Sequence, residues 1–162
     1  MALKGYRQIL ETDIDHFMNA TATRGGIVSI TGTSASGIAS DQAEAQVSYT
    51  ATLSGVKPLG ILLQDVVNYD LTRQRQNPWR DEVQIGNKVA VAPKCVVVTD
   101  FVYTGHSPVP GAPAYIGHSG YIAASNVATD HSDTSGIFKV VGQWVTGKNE
   151  DGFAKVRINL PR

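Results

Sequence analysis

A mainly β fold, a small β-barrel or β-sandwich, is predicted by three observations. Charged residues make up 17% of the chain against ~25% in ordinary soluble domains, while glycine occurs 16 times. Short apolar runs recur between Gly-, Pro- and Asn-rich turns at roughly 8–12-residue spacing, giving about eight to ten short strands. The last quarter, finally, alternates: Val156, Ile158 and Leu160 interleave with Lys155, Arg157 and Asn159. Such a period of two marks a strand with one dry face and one wet face.

The elements follow in chain order. Leu10, Ile14, Phe17 and Met18 are spaced for a short amphipathic helix or, alternatively, an extended docking arm. Residues 1–24 are therefore set apart as an N-terminal arm, and 25–162 as one β-rich domain. Gly25-Gly26 ends the arm and Ile27–Ile30 reads as a strand. Gly32 to Ser40, made largely of Gly, Ser, Thr and Ala, reads as an exposed loop. Val47, Tyr49, Ala51 and Leu53 share one face of the next strand. Leu59 to Val67 is a nearly continuous apolar run, as in a strand buried on both faces, with a short helix as the alternative.

Residues 68–82 are polar and read as a long loop. Val83, Ile85, Val89 and Val91 bracket Gly86-Asn87, the signal for a hairpin. Val96 to Val102 is a further strand. Pro108, Pro110 and Pro113 exclude helix interior and central strand from the next segment. Tyr115-Ile116 and Tyr121-Ile122-Ala123 resume strand character, and Asn126 to Ser135 reads as a polar loop. A closing hairpin joins Gly136–Val145 to Phe153–Leu160 across a Gly-bounded turn.

Composition narrows the function classes. Lys and Arg total 14 and so do Asp and Glu, so no long-range field draws the protein to nucleic acid or an anionic membrane. No stretch approaches the ~20 apolar residues of a membrane helix. The start of the chain lacks the apolar core of a signal peptide, which sets the expectation of a reducing cytoplasm. Cys95, the one cysteine, lies in a strand-like run and reads as a small buried thiol, with an exposed reactive thiol as the alternative.

The chemical motifs are incomplete. Gly117-His118-Ser119 matches the start of a nucleophile elbow, but Tyr121 stands where the second glycine is required and no helix pattern follows. Gly32 to Gly37 has the glycine spacing of a phosphate loop without its lysine. His16, His106, His118 and His131 show no metal-ligand spacing. Asp130 to Asp133 lacks the Gly and distal Glu of a calcium loop. Asp65, Asp70, Asp81 and Glu82 offer no pair whose context suggests a shared proton. No catalytic, cofactor or metal residue is assigned.

The candidate interface residues are Leu10, Ile14 and Phe17 of the arm together with Arg73, Arg75, Trp79 and Arg80. Arg and Trp combine large contact area with directional donors, as interface hot spots do. The same cluster is open to two other readings: an ordinary loop with Trp79 folded inward, or a single-strand nucleic-acid contact. Asp81-Glu82 and the neutral balance argue against the last.

One resemblance spans nearly the whole chain. Met1 to Gln8, Arg24 to Ser29, Leu59 to Leu62, Gly86 to Val91, Val96 to Thr99, Val141 to Trp144 and Ala154 to Leu160, in this order, resemble tailed-bacteriophage head-decoration (capsid cement) proteins and related virion structural proteins. The resemblance implies a β-rich, non-enzymatic homo-oligomer, a trimer being favoured. It would be assembled in the host cytoplasm and bound to the major capsid protein on the outside of an icosahedral shell. It supplies no catalytic residue and no cofactor. The alternatives are a tail or head–tail connector component, or a receptor- or carbohydrate-binding module using Tyr103, Tyr115, Tyr121 and Trp144 as stacking platforms.

Overall fold

The computed structural model of the chain describes residues 2–31, 45–49, 55–72, 75, 78–125 and 139–161. The loops expected at Gly32 to Ser40 and Asn126 to Ser135, with Ala51, Leu53 and Arg73, lie outside the described residues. Described strands are β1 (Leu3–Met18), β2 (Ile27–Ile30), β3 (Gln46–Ser48), β4 (Pro58–Leu62), β5 (Asp65–Val67) and β6 (Glu82–Gln84). They continue with β7 (Lys88–Thr99), β8 (Pro113–Ile116), β9 (Ile122–Ala123), β10 (Val140–Trp144) and β11 (Ala154–Asn159). The fold is mainly β, as the turn spacing predicts.

Nine of these strands form one sheet in the order β1-β3-β2-β4-β7-β11-β10-β8-β9. Because β1 also pairs antiparallel with β7, the strands β1, β3, β2, β4 and β7 close on themselves as a small barrel. Closure removes sheet edges that would otherwise invite other chains. The long strand β7 then continues past the barrel and carries β11, β10, β8 and β9 on its other side.

Two apolar cores result. Met18, Val28, Val47, Leu62, Val66, Val89 and Val91 form one cluster. Ile27, Ile61, Cys95, Val97, Ile116, Ile122, Trp144, Val156 and Ile158 belong to the other. Neighbours in sequence, Ile27 and Val28 or Ile61 and Leu62, are divided between them, because successive side chains on a strand point to opposite faces. The apolar run at Leu59 to Val67 is thus buried on both sides, as its composition predicts, and breaks into β4 and β5 at Leu63-Gln64.

Two local expectations are corrected. In place of an amphipathic helix, residues 3–18 form a strand hydrogen-bonded along β7, with register shifts at four points. The tertiary partner overrides a spacing that suits a helix in isolation. The second correction concerns Gly86-Asn87. A turn is present, the Asn87 N–H donating to Gln84 O at 3.1 Å, but the strands flanking it do not pair with each other. Strand β6 pairs in parallel with β5, and the turn is tied to β1 through Gly86 N–H to Met18 O at 2.8 Å.

The closing hairpin forms as its alternation predicts. Gly142 lies opposite Ile158, Gln143 opposite Arg157 and Trp144 opposite Val156. Val156, Ile158 and Leu160 are buried, while Arg157 and Asn159 are exposed. The approach of β10 to β11 is so close at Gly142 that a Cβ there would overlap the Arg157 carbonyl. Glycine is required at that position by space.

Candidate functional site

The registers lay four strands side by side. Gln8 of β1 is opposite Val96 of β7, Val96 is opposite Arg157 of β11, and Arg157 is opposite Gln143 of β10. The flanking rows use the same alternation. Lys94 lies opposite Glu11 and Asn159, and Val98 opposite Lys155. The side chains of these rows point away from Cys95, Val97, Val156 and Ile158, which are buried on the other face. The result is a four-stranded outer face with no layer over it among the described residues.

Its surface is mixed apolar and basic. Leu10 is 72% exposed, and Tyr6 and Val140 are also exposed. Lys155 Nζ sits 4.1 Å from the Tyr6 ring centroid, and Lys94 Nζ pairs with Glu11 Oε2 at 2.9 Å. Two shallow hollows flank a ridge formed by Arg157 and Asn159. One, about 370 Å³, is lined by Gln8, Leu10, Lys94 and Val96; the other, about 380 Å³, by Val140, Gly142 and Gln143. Beyond Leu10, β1 meets β3 only at Phe17 and Met18, so among the described residues the outer edge of its first half carries no strand.

The candidate interface residues separate. Leu10 lies on this face. Ile14 is 60% exposed further along β1, whereas Phe17 is half-buried where β1 meets β3. Arg75, Trp79 and Arg80 are exposed, and Trp79, in a single 3-10 turn over Pro78–Arg80, is 94% so. The inward-folded alternative for Trp79 is thereby set aside.

The sequence assigns no interaction to Arg24, which is buried where the arm was expected to end. Its guanidinium donates from Nη1 to Asp81 Oδ2 at 2.7 Å and to Arg80 O at 3.1 Å. Its backbone N–H donates to Asp65 Oδ1 at 2.7 Å. One buried cation thus ties the β5–β6 pair to the turn that carries Trp79. No local signal marks it, because its partners are 41 to 57 residues away.

A third concavity, of about 560 Å³, lies beside β5 and β6, lined in part by Tyr49, Asp65, Glu82, Phe101, Ser119 and Tyr121. Tyr49 is held in that lining, its hydroxyl donating to Thr23 O at 2.5 Å and accepting from Gly26 N–H at 3.2 Å. Burial pushes that hydroxyl well above its ordinary pKa of 10.0. Gly120, at φ +80°, lies directly on the Tyr49 ring and has no room for a side chain. Ser119, the residue singled out by the elbow comparison, is left-handed at φ 54° in the turn between β8 and β9.

Of the four proposed stacking platforms, Trp144 is corrected: it is 1% exposed and part of the core. Tyr115 is partly buried against the same core. Among the described residues no three His, Cys, Asp or Glu side chains gather as a metal site, and no helix is long and apolar enough to cross a membrane. No protein-family model matches this chain, and no curated protein matches it.

Proposed function

We propose that the chain is a virion structural protein that binds the outer surface of an icosahedral phage capsid and stabilises it, acting as a homo-oligomer, with a trimer favoured. The observation that supports this reading best is the uncovered β1-β7-β11-β10 face, where Leu10, Tyr6 and Val140 stand beside Arg157. Apolar side chains left outside a finished barrel gain most when a second surface covers them. Central arginine with surrounding apolar contact is the composition of an interface core. On a repeating lattice, weak individual contacts are multiplied by avidity.

Purified shells lacking the protein, incubated with it and imaged by electron microscopy, provide the test. Wild-type protein is expected at many copies across the shell, and Leu10→Asp and Arg157→Glu at greatly reduced occupancy. Undiminished occupancy of both variants removes the proposed face. Density confined to one vertex or to the tail favours the connector reading instead.

A further inference from the structure

Arg157 and Asn159 line both hollows of the outer face, so their side chains form the wall that the two share. Leu10 and Val96 bound the one hollow, Val140 and Gly142 the other. An exposed cation and an exposed amide thus stand between two depressions that each hold apolar side chains. The neighbouring cations are engaged within the chain. Lys94 Nζ pairs with Glu11 Oε2 at 2.9 Å, and Lys155 Nζ lies over the Tyr6 ring at 4.1 Å. Among the described residues no carboxylate reaches Arg157.

Covering this face therefore carries a condition. A surface that fills the hollows also takes water away from the ridge between them. A guanidinium removed from water is strongly unfavourable unless it is both paired and hydrogen-bonded. A backbone carbonyl would accept from one N–H and leave the charge uncompensated. A carboxylate meets both needs, because the planar guanidinium fork donates to its two oxygens in parallel. The Asn159 amide offers a further donor on the same ridge. Apolar groups on either side of that carboxylate would then gain from filling the hollows.

Strand spacing sets the pattern of the partner. Adjacent strands lie ~4.8 Å apart, so β1 and β10, the outer two of four, are separated by about 14 Å. An extended chain puts residues i, i+2 and i+4 on one face, the outer two about 13 Å apart. Three such residues laid across the strands reach from Leu10, over the Arg157 ridge, to Val140. We propose that this face takes an extended protein segment of the pattern apolar-x-acidic-x-apolar. Its carboxylate sits on Arg157 and Asn159, and its apolar side chains enter the two hollows. The proposal deepens the capsid reading and rests on it for the source of the segment, the surface of the shell.

The full chain, isotope-labelled, is titrated by NMR with the end-capped pentapeptides Val-Thr-Glu-Thr-Val, Val-Thr-Gln-Thr-Val and Val-Thr-Lys-Thr-Val. The glutamate peptide is expected to shift the amide signals of Leu10, Val140, Arg157 and Asn159. It should bind about tenfold more tightly than the glutamine peptide. Arg157→Gln should abolish that preference, and Arg157→Glu should turn it towards the lysine peptide. Leu71→Ala, at an exposed apolar residue outside both hollows, should leave binding unchanged. Thermal melting separates lost binding from lost fold. Should the glutamine and glutamate variants unfold, Arg157→Lys carries the test, with a preference reduced about threefold by loss of the bidentate fork. No binding of the glutamate peptide, equal binding of the glutamate and glutamine peptides, or a preference that survives Arg157→Gln overturns the inference. Shell occupancy is scored in parallel. Wild-type protein that coats shells but ignores the glutamate peptide removes this inference and leaves the capsid reading. Peptide recognition without shell binding keeps the pattern and removes the shell as its source.

Discussion

Strands β1 and β11 flank the same stretch of β7, Ile9 and Ile158 both lying opposite Cys95, yet they distribute apolar and polar side chains differently. In β11 the apolar residues Val156 and Ile158 face the core and Arg157 and Asn159 face out. In β1 the apolar Leu10 and Ile14 face out, while Asp13 and His16 are buried. His16 Nε2 lies 3.3 Å from Asp13 Oδ2, and His16 Nδ1 donates to Ala45 O at 3.0 Å. The two strands share a neighbour and a layer, so the difference is not one of architecture. β1 buries Leu3 and Met18 as well, so it is mixed rather than inverted, and its exposed Leu10 and Ile14 are the residues that the proposed contact would use.

The contrast is broken most severely at the hairpin. Gly142→Val forces a side chain into the Arg157 carbonyl and should cost about 3 kcal/mol, read as a drop in the urea midpoint. A variant of wild-type stability would mean that β10 and β11 do not approach as described. The intervening strand gives a pH test. Burial pushes the Cys95 thiol from its ordinary 9.0 up to about 12. Between those values the unfolded thiol ionises and the native one does not, so the unfolded chain holds fewer protons. Stability is then fully present below pH 9 and falls by about 1.4 kcal/mol per pH unit above it. Tyr49 adds a loss of the same sign above pH 10. Urea melts from about pH 8 to about pH 10 should show this slope, and Cys95→Ala should flatten it between 9 and 10.

The smallest effect is the sharpest on the comparison. Leu10→Asp and Ile14→Ser should change stability by no more than about 0.5 kcal/mol, because neither side chain is buried in the isolated chain. Large destabilisation by either would place these residues inside the fold and erase the contrast with β11. Near-neutral stability with lost shell occupancy would locate the external partner on β1.

Parts of the site were legible for the same reason that the hairpin was. The alternation of Lys155, Arg157 and Asn159 marks a wet face, and Leu10 and Ile14 stand out as apolar residues in need of a partner. The neighbours of Arg157 on that face, Gln8 and Val96, come from strands far away in sequence and carry no local mark. Asp65 and Glu82 meet because β5 and β6 pair in parallel, which a hairpin reading at Gly86-Asn87 would not allow. Trp144 looks like a platform in sequence and is core in space, since a strand tryptophan carries no local sign of which layer it faces.

The sequence by itself determined the class, mainly β, together with the strand character of most described segments, the burial of Cys95 and the register sense of the last hairpin. Each depends on neighbours one or two residues away or on composition, so a linear pattern holds the information. Tertiary structure alone decided that residues 3–18 are a strand rather than a helix, that β1 closes a barrel on β7, and that Arg24 anchors the β5–β6 pair. It also decided which apolar side chains remain outside. Those outcomes depend on which distant backbone supplies the hydrogen bonds and which distant charge faces a buried group, and neither is written in local spacing.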